Sequence, residues 1–120
     1  MKNINVALLG FGTVGSGVAE AIRKNSRIME DSIGCHFTIS HVLVRYPEKY
    51  RDMDLLQGIH LTSSFDDIIA DSSIDIIIEV MGGIHPAKEY IFEALNHHIN
   101  VVSANKDLDR KSCILPWKTM

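Results

Sequence analysis

The stretch that decides the fold runs from residue 4 to residue 18 and reads INVALLGFGTVGSGV. Its first six residues are mostly apolar and include β-branched members, which is typical of a buried parallel strand. Three glycines, Gly10, Gly12 and Gly15, follow at the spacing GxGxxG. After them, apolar residues recur at helical spacing and predict a helix over residues 13–30. The stretch therefore predicts a strand, a glycine-rich turn and a helix.

Each glycine of this turn has a separate physical role if the turn binds a dinucleotide. Gly10 permits the tight turn, Gly12 lets the backbone approach a pyrophosphate, and Gly15 lets the helix pack close to the strand. The helix N-terminus offers free N–H groups and a partial positive charge to the anion. The alternative is a structural turn that binds nothing. The other loop positions, expected to contact the ligand mainly through backbone atoms, are Phe11, Thr13 and Val14.

The rest of the chain alternates between strand-like and helix-like segments. A capping signal at Ser64 predicts a short helix, and Pro86 stands where a first helical residue belongs. Residues 31–34 are expected to be a break, and residues 47–58 a loop or short helix. Further strands are predicted at residues 37–44, 59–62, 74–80 and 100–104. This alternation predicts an α/β fold, a doubly wound parallel sheet of the Rossmann-like, dinucleotide-binding kind.

Composition narrows the class of protein. The chain has 120 residues, 46% of them hydrophobic, and a formal net charge of −3. These values predict one domain without a basic nucleic-acid surface. The short apolar run at the N-terminus fits neither a signal peptide nor a membrane span, so we expect a cytoplasmic protein without a membrane partner. The histidines and cysteines show no zinc-type spacing, and no metal site is predicted.

The end of the second predicted strand bears on the choice between NAD and NADP. Sites for NAD usually place an acidic residue there to bind the ribose 2′-hydroxyl. This sequence has Val44 and Arg45 instead, with Lys49 and Arg51 nearby. An arginine can pair bidentately with a 2′-phosphate. The cofactor is therefore predicted to be NADP or NAD, with NADP favoured, unless Arg45 is only a solvated loop charge.

Two further strand ends carry candidate residues. Gly82 and Gly83 follow the fourth strand, where a side-chain-free backbone can pass close to a ribose or nicotinamide. Ala104 and Lys106 follow the fifth strand in the sequence SANK, and the ammonium group of Lys106 could polarise a substrate oxygen. From the residues alone, an ordinary turn and a surface lysine remain open as alternatives.

Several of these stretches together resemble the cofactor-binding part of homoserine dehydrogenase. They are VALLGFGTVGSGV, VLVR, IDIIIEVMGGIHPAKEYIFEAL and NVVSANKDL, between about residues 3 and 108. That family interconverts L-homoserine and L-aspartate 4-semialdehyde with NAD(P), in threonine and methionine biosynthesis. The resemblance implies cofactor contacts for the glycine loop and Arg45, and a catalytic role for Lys106. Ser103 stands where the family usually has threonine.

The resemblance also implies a longer protein. We expect residues 1–108 to form the dinucleotide-binding domain, residues 109–120 an irregular tail, and the substrate domain to be absent from these residues. A truncated or frameshifted gene, or a cut chain, would produce this pattern. The 120-residue chain is then expected to bind cofactor without turnover and to form a homo-oligomer through uncovered apolar surface. The alternatives are a stand-alone NAD(P)-binding module and part of another oxidoreductase, such as a dipicolinate-type reductase.

Overall fold

The computed structural model describes residues 2–104 and the backbone of residues 113–115. Three α-helices are described: α1 (Thr13–Ile33), α2 (Phe65–Ile69) and α3 (Ala87–Asn96). Single turns of 3₁₀-helix occupy Pro47–Lys49 and Asp54–Leu56. The strands are β1 (Lys2–Leu9), β2 (Cys35–Leu43), β3 (His60–Thr62), β4 (Ile76–Glu79), β5 (Asn100–Ser103) and β6 (Cys113–Leu115).

The strands form one sheet in the order β3-β2-β1-β4-β5-β6. All pairs from β3 to β5 are parallel, and β6 pairs antiparallel with β5. The predicted doubly wound α/β sheet is therefore confirmed. The strand order reverses direction between β1 and β4, and the crevice at such a reversal is where open α/β sheets bind ligands.

Helices cover both faces of the sheet because successive side chains of a strand point to opposite faces and those of the buried strands are mostly apolar. On one face, Leu8 and Val42 pack with Ala19 of α1. On the other, Leu9 and Ile77 belong to the cluster that includes α2 and α3. A strand buried on both faces consists of a nearly continuous apolar run. This is why β1 and β4 could be predicted from the sequence, at residues 4–9 and 74–80.

Several predicted boundaries are corrected by the structure. The helix predicted over residues 13–30 continues to Ile33, so the expected break at residues 31–34 is wrong except for its last residue. Gly34 ends the helix in the left-handed conformation, with φ of 68°, and donates its N–H to the carbonyl of Glu30. Such a glycine cap specifies the end of a helix more strongly than the polar residues before it do.

The start of α2 also differs from the prediction, because the predicted serine cap does not form. Ser64 lies at the N-cap of α2, but its side chain makes no capping hydrogen bond. Instead, Thr62 accepts a hydrogen bond from the N–H of Ser64 and donates one to Asp67 at 2.6 Å. The threonine at the end of β3 therefore ties the strand to the first turn of α2.

Of the described helices, none is long and apolar enough to cross a membrane.

The C-terminal segment contains a strand where an irregular tail was expected. Cys113–Leu115 pairs antiparallel with β5, so that expectation is wrong for these three residues. A strand this short carries too few residues to show the alternation from which strands are predicted. The remaining residues of the predicted tail lie outside the described part of the chain.

The packing of α1 on the sheet depends on glycine at two positions. A Cβ atom at Gly15 would lie 2.5 Å from the carbonyl oxygen of Gly10, which is far inside contact distance. Gly10 has φ of 100°, and a Cβ there would lie 3.2 Å from backbone atoms of Val80 and Met81. The predicted role of Gly15 in close helix–strand packing is borne out by this geometry.

Substitution of Gly15 by alanine tests this packing. Gly15→Ala should lower the free energy of unfolding by about 1–3 kcal/mol, because the backbone must move to admit the methyl group. Gly17→Ala is the matched control, since a Cβ at Gly17 meets no atom within 4 Å and the residue is exposed in the same helix. It should stabilise the chain by up to about 1 kcal/mol. Urea denaturation measures both changes, and equal stability of the two variants would contradict the packing argument.

Candidate functional site

A cleft of about 420 Å³ opens at the carboxyl edge of the sheet, beside the reversal between β1 and β4. Its volume falls in the range of ligand pockets, roughly 300–1,000 Å³. Residues after β1, β2 and β4 contribute to it, together with aromatic side chains from further along the chain. The principal lining residues are Gly10, Phe11, Arg45, Tyr50, Met81 and Tyr90.

The first turn of α1 is built to accept an anion. Gly12 is the N-cap residue, no side chain caps the helix there, and no acidic residue stands in its first turn. The first N–H groups of a helix have no partner within the helix. A Cβ atom on Gly12 would meet nothing within 4 Å, so the fold itself does not require glycine at this position. These features fit a phosphate group approaching the backbone of Gly12.

The side chains between the glycines have different environments. The ring of Phe11 is 6% exposed and packs edge-on against Tyr50, with ring centroids 5.8 Å apart. Thr13 and Val14 are exposed on the first turn of α1, and 55% of Val14 is accessible. Phe11 therefore anchors the loop in the core, while Thr13 and Val14 leave the outer side of the loop open.

Arg45 lies where a 2′-phosphate arginine is expected. It follows β2 by two residues, is exposed, and lines the cleft. Within the described part of the chain Arg45 forms no salt bridge, whereas the ammonium group of nearby Lys49 lies 4.9 Å from the ring centroid of Tyr46. The guanidinium group of Arg45 is thus available to an anion in the cleft.

The other predicted residues lie after β4 and β5. Gly82 and Gly83 are exposed and both have positive φ, 79° and 74°, a conformation that favours glycine. They are not among the residues that line the cleft itself, although Met81 and Pro86 on either side of them are. Ala104 is exposed at the end of β5, and its N–H donates to the carbonyl of Glu79. Lys106 lies outside the described residues.

Sequence reasoning missed Glu79, Tyr50 and Tyr90. Glu79 is fully buried at the end of β4 and accepts hydrogen bonds from Met81 and Ser103. One signal was present, because Glu79 follows three isoleucines within an apolar strand and stands three residues before a glycine pair. Tyr50 and Tyr90 gave no such signal, since their places in the cleft depend on tertiary contacts with Phe11 and Phe65.

A second group of titratable side chains lies at the β2–β3 edge and does not line the cleft. Burial lowers the pKa of His41 from its ordinary value of 6.5, while Asp71, 3.5 Å away, acts in the opposite direction. Hydrogen bonds from Ser73 lower the pKa of the Asp71 carboxyl. Among the described residues, no group of three or more His, Cys, Asp or Glu side chains is placed to hold a metal ion.

Comparison with known proteins finds relatives that are homoserine dehydrogenases, both by sequence and by structure. The homoserine dehydrogenase of Bacillus subtilis (strain 168) is 45% identical over 108 residues, which are 90% of this chain and 25% of that protein. A crystal structure of Staphylococcus aureus homoserine dehydrogenase at pH 8.5 matches with a TM-score of 0.83 and 45% identity, over 89% of this chain and 27% of that one. The Thiobacillus denitrificans homoserine dehydrogenase matches with a TM-score of 0.80 and 36% identity, over 89% of this chain and 24% of that one.

The family assignment follows from the segment that these relatives share. This chain spans about a quarter of the length of the curated relatives it matches. The family model described as homoserine dehydrogenase, NAD binding domain, matches residues 10–110, which include the glycine loop, Arg45 and the ends of β4 and β5. The chain therefore belongs to the family of NAD-binding domains of homoserine dehydrogenase.

Proposed function

We propose that the cleft binds NADP or NAD with the pyrophosphate at the N-terminus of α1. The observation that carries this assignment is the backbone of Gly12, which has open space where a side chain would lie and stands at a helix end without a side-chain cap, one residue after the cleft-lining Phe11. The backbone at Gly12, Thr13 and Val14 would hold the pyrophosphate. The backbone of Gly82, Gly83 and Ala104 would lie toward the nicotinamide half.

A methyl group on Gly12 tests this assignment. Gly12→Ala should change the free energy of unfolding by less than about 1 kcal/mol, because the added Cβ meets no protein atom. It should weaken NADP binding by about tenfold or more, since a loss of 1.4 kcal/mol already gives a factor of ten. Titration calorimetry measures the affinity. Gly17→Ala is the control and should keep wild-type affinity; a Gly12→Ala chain that also binds normally would contradict the pyrophosphate assignment.

We further propose that NADP is preferred over NAD. Arg45 lines the cleft after β2 and forms no salt bridge in the described part of the chain. A planar guanidinium group matches the geometry of a phosphate group, whereas NAD presents only a hydroxyl at the same ribose position. Arg45 should therefore contribute binding energy to NADP that NAD does not receive.

Comparison of the two dinucleotides on one variant tests this preference. Arg45→Ala should weaken NADP binding by about tenfold and leave NAD binding within about twofold, as expected for the loss of one charge-assisted hydrogen-bonded pair. Arg51→Ala removes a neighbouring exposed charge and should affect the two dinucleotides far less. Calorimetry at one fixed ionic strength gives all four affinities. Equal loss of NADP and NAD affinity in Arg45→Ala would remove the 2′-phosphate assignment.

At the level of the whole protein, we propose that this domain serves the interconversion of L-homoserine and L-aspartate 4-semialdehyde. We likewise propose a role in threonine and methionine biosynthesis, a cytoplasmic location and a homo-oligomeric assembly. The nicotinamide would supply or accept the hydride when bound. This chain's own share is to hold the cofactor at the carboxyl edge, with Lys106 after β5 as the candidate group that polarises the substrate oxygen.

A chimera tests the enzyme-level proposal. Residues 1–108 of this chain would replace the matching segment of the Bacillus subtilis homoserine dehydrogenase. The chimera should reduce NADP in the presence of homoserine, and Lys106→Ala in the chimera should lower kcat by about a hundredfold or more. The 120-residue chain alone should bind NADP without turnover. A folded, NADP-binding chimera without activity, or homoserine-dependent turnover by the chain alone, would contradict the proposal.

A further inference from the structure

Glu79 is a buried carboxylate that the proposed binding scheme does not use. It is the last residue of β4 and is 0% exposed. Its Oε2 atom accepts a hydrogen bond of 2.8 Å from the backbone N–H of Met81, and its Oε1 atom accepts one of 2.7 Å from the hydroxyl of Ser103. Each carboxylate oxygen therefore has a donor from a different part of the chain.

One donor lies in the loop after β4, where Met81 lines the cleft, and the other lies at the end of the neighbouring strand β5. Met81 begins the loop that continues into Gly82 and Gly83, and Ser103 ends β5 just before Ala104. The backbone carbonyl of Glu79 also accepts the N–H of Ala104 at 3.1 Å. One residue thus holds the start of the loop after β4 and the end of β5 at a fixed separation.

The fold does not require a carboxylate here. Ile77 precedes it on the same face of the same strand and is equally buried. Burying a carboxylate is costly even when it is hydrogen-bonded, and an apolar residue of similar size is often neutral or stabilising by comparison. An apolar side chain cannot accept a hydrogen bond from the N–H of Met81 or from the hydroxyl of Ser103. Its hydrogen bonds, rather than its packing, distinguish Glu79 from Ile77.

The loop after β4 has particular need of such a tie. Gly82 and Gly83 both adopt positive φ and are exposed, and glycine is the residue with the greatest backbone freedom. A hydrogen bond to the N–H of Met81 fixes the backbone immediately before this glycine pair. Glu79 therefore contributes to the direction in which the pair leaves the sheet.

We propose that Glu79 is a positioning residue for the nicotinamide half of the dinucleotide. It orients the Met81–Gly83 backbone relative to Ser103 and Ala104, so that both loops meet the ligand in one preformed geometry. This inference rests on the proposed binding of NADP or NAD in the cleft. It assigns Glu79 no contact with the ligand and no proton transfer.

Comparing the affinities for two ligands that share the adenosine half distinguishes a positioning role of Glu79 from a general effect on stability. NADP contains both the adenosine and the nicotinamide halves, whereas adenosine 2′,5′-bisphosphate carries only the adenosine half, with its 2′- and 5′-phosphates. Ser103→Ala and Glu79→Gln should each weaken NADP binding by about tenfold, the order expected for a lost hydrogen bond to a charged group. Both variants should bind adenosine 2′,5′-bisphosphate within about twofold of wild type, since Arg45 and the glycine loop are unchanged.

Matched variants complete the experiment. Ser103→Thr keeps the hydroxyl and, unlike Ser103→Ala, should bind NADP with wild-type affinity. Asn5→Ala removes a 3.0 Å hydrogen bond to the carbonyl of Ser73 at the opposite, amino end of the sheet. It should lower the melting temperature without changing the ratio of the two affinities. Calorimetry gives the affinities, and thermal unfolding verifies that each variant is folded at the titration temperature.

The outcomes are distinguishable. If folded Ser103→Ala and Glu79→Gln lose affinity equally for both ligands, or keep wild-type affinity for NADP, Glu79 is a structural residue only and the inference is wrong. If the wild-type chain binds neither ligand, the proposed function fails and the inference fails with it. Selective loss of NADP affinity, restored by Ser103→Thr, supports the positioning role.

Discussion

The close approach of Gly15 to the carbonyl of Gly10 is the constraint on which the cleft depends. The 2.5 Å that would separate a Cβ atom from this oxygen leaves no space for any side chain. Because Gly15 has none, α1 begins directly against the end of β1 and directs its first N–H groups toward the carboxyl edge of the sheet. The same contact that packs the helix thus places its positive end beside the cleft.

Backbone hydrogen bonds continue past the strand ends and give this edge its rigidity. Gly10 donates its N–H to Leu43, and Val44 donates to Thr62, both at 2.9 Å. Val80 donates to Leu9 at 3.0 Å in the same way. The loops therefore leave the sheet from bonded positions, and their freedom begins only one residue later. This is where side chains such as that of Glu79 take over the positioning.

The parts of the fold that follow from local pattern were predictable, and those that depend on distant partners were not. The apolar run before Gly10 and the spacing of the glycines identified β1, the turn and the start of α1. The end of α1 was placed too early because the polar residues before Gly34 outweighed the glycine cap. The hydrogen bond between Ser103 and Glu79 could not be predicted because Ser103 lies 24 residues further along the chain.

The two ends of the cleft differ in how the sequence can change them. Arg45 is exposed, lies outside the regular strands and helices, and is not engaged in a salt bridge in the part described. Substituting Arg45 changes an electrostatic interaction that dissolved salt weakens, and it should change the free energy of unfolding little. Glu79 is buried, and substituting it changes the acceptor of the Met81 N–H and of the Ser103 hydroxyl. The proposed preference for NADP is therefore open to single substitutions, while a substitution at Glu79 also alters the hydrogen bonds that join the loop after β4 to the end of β5.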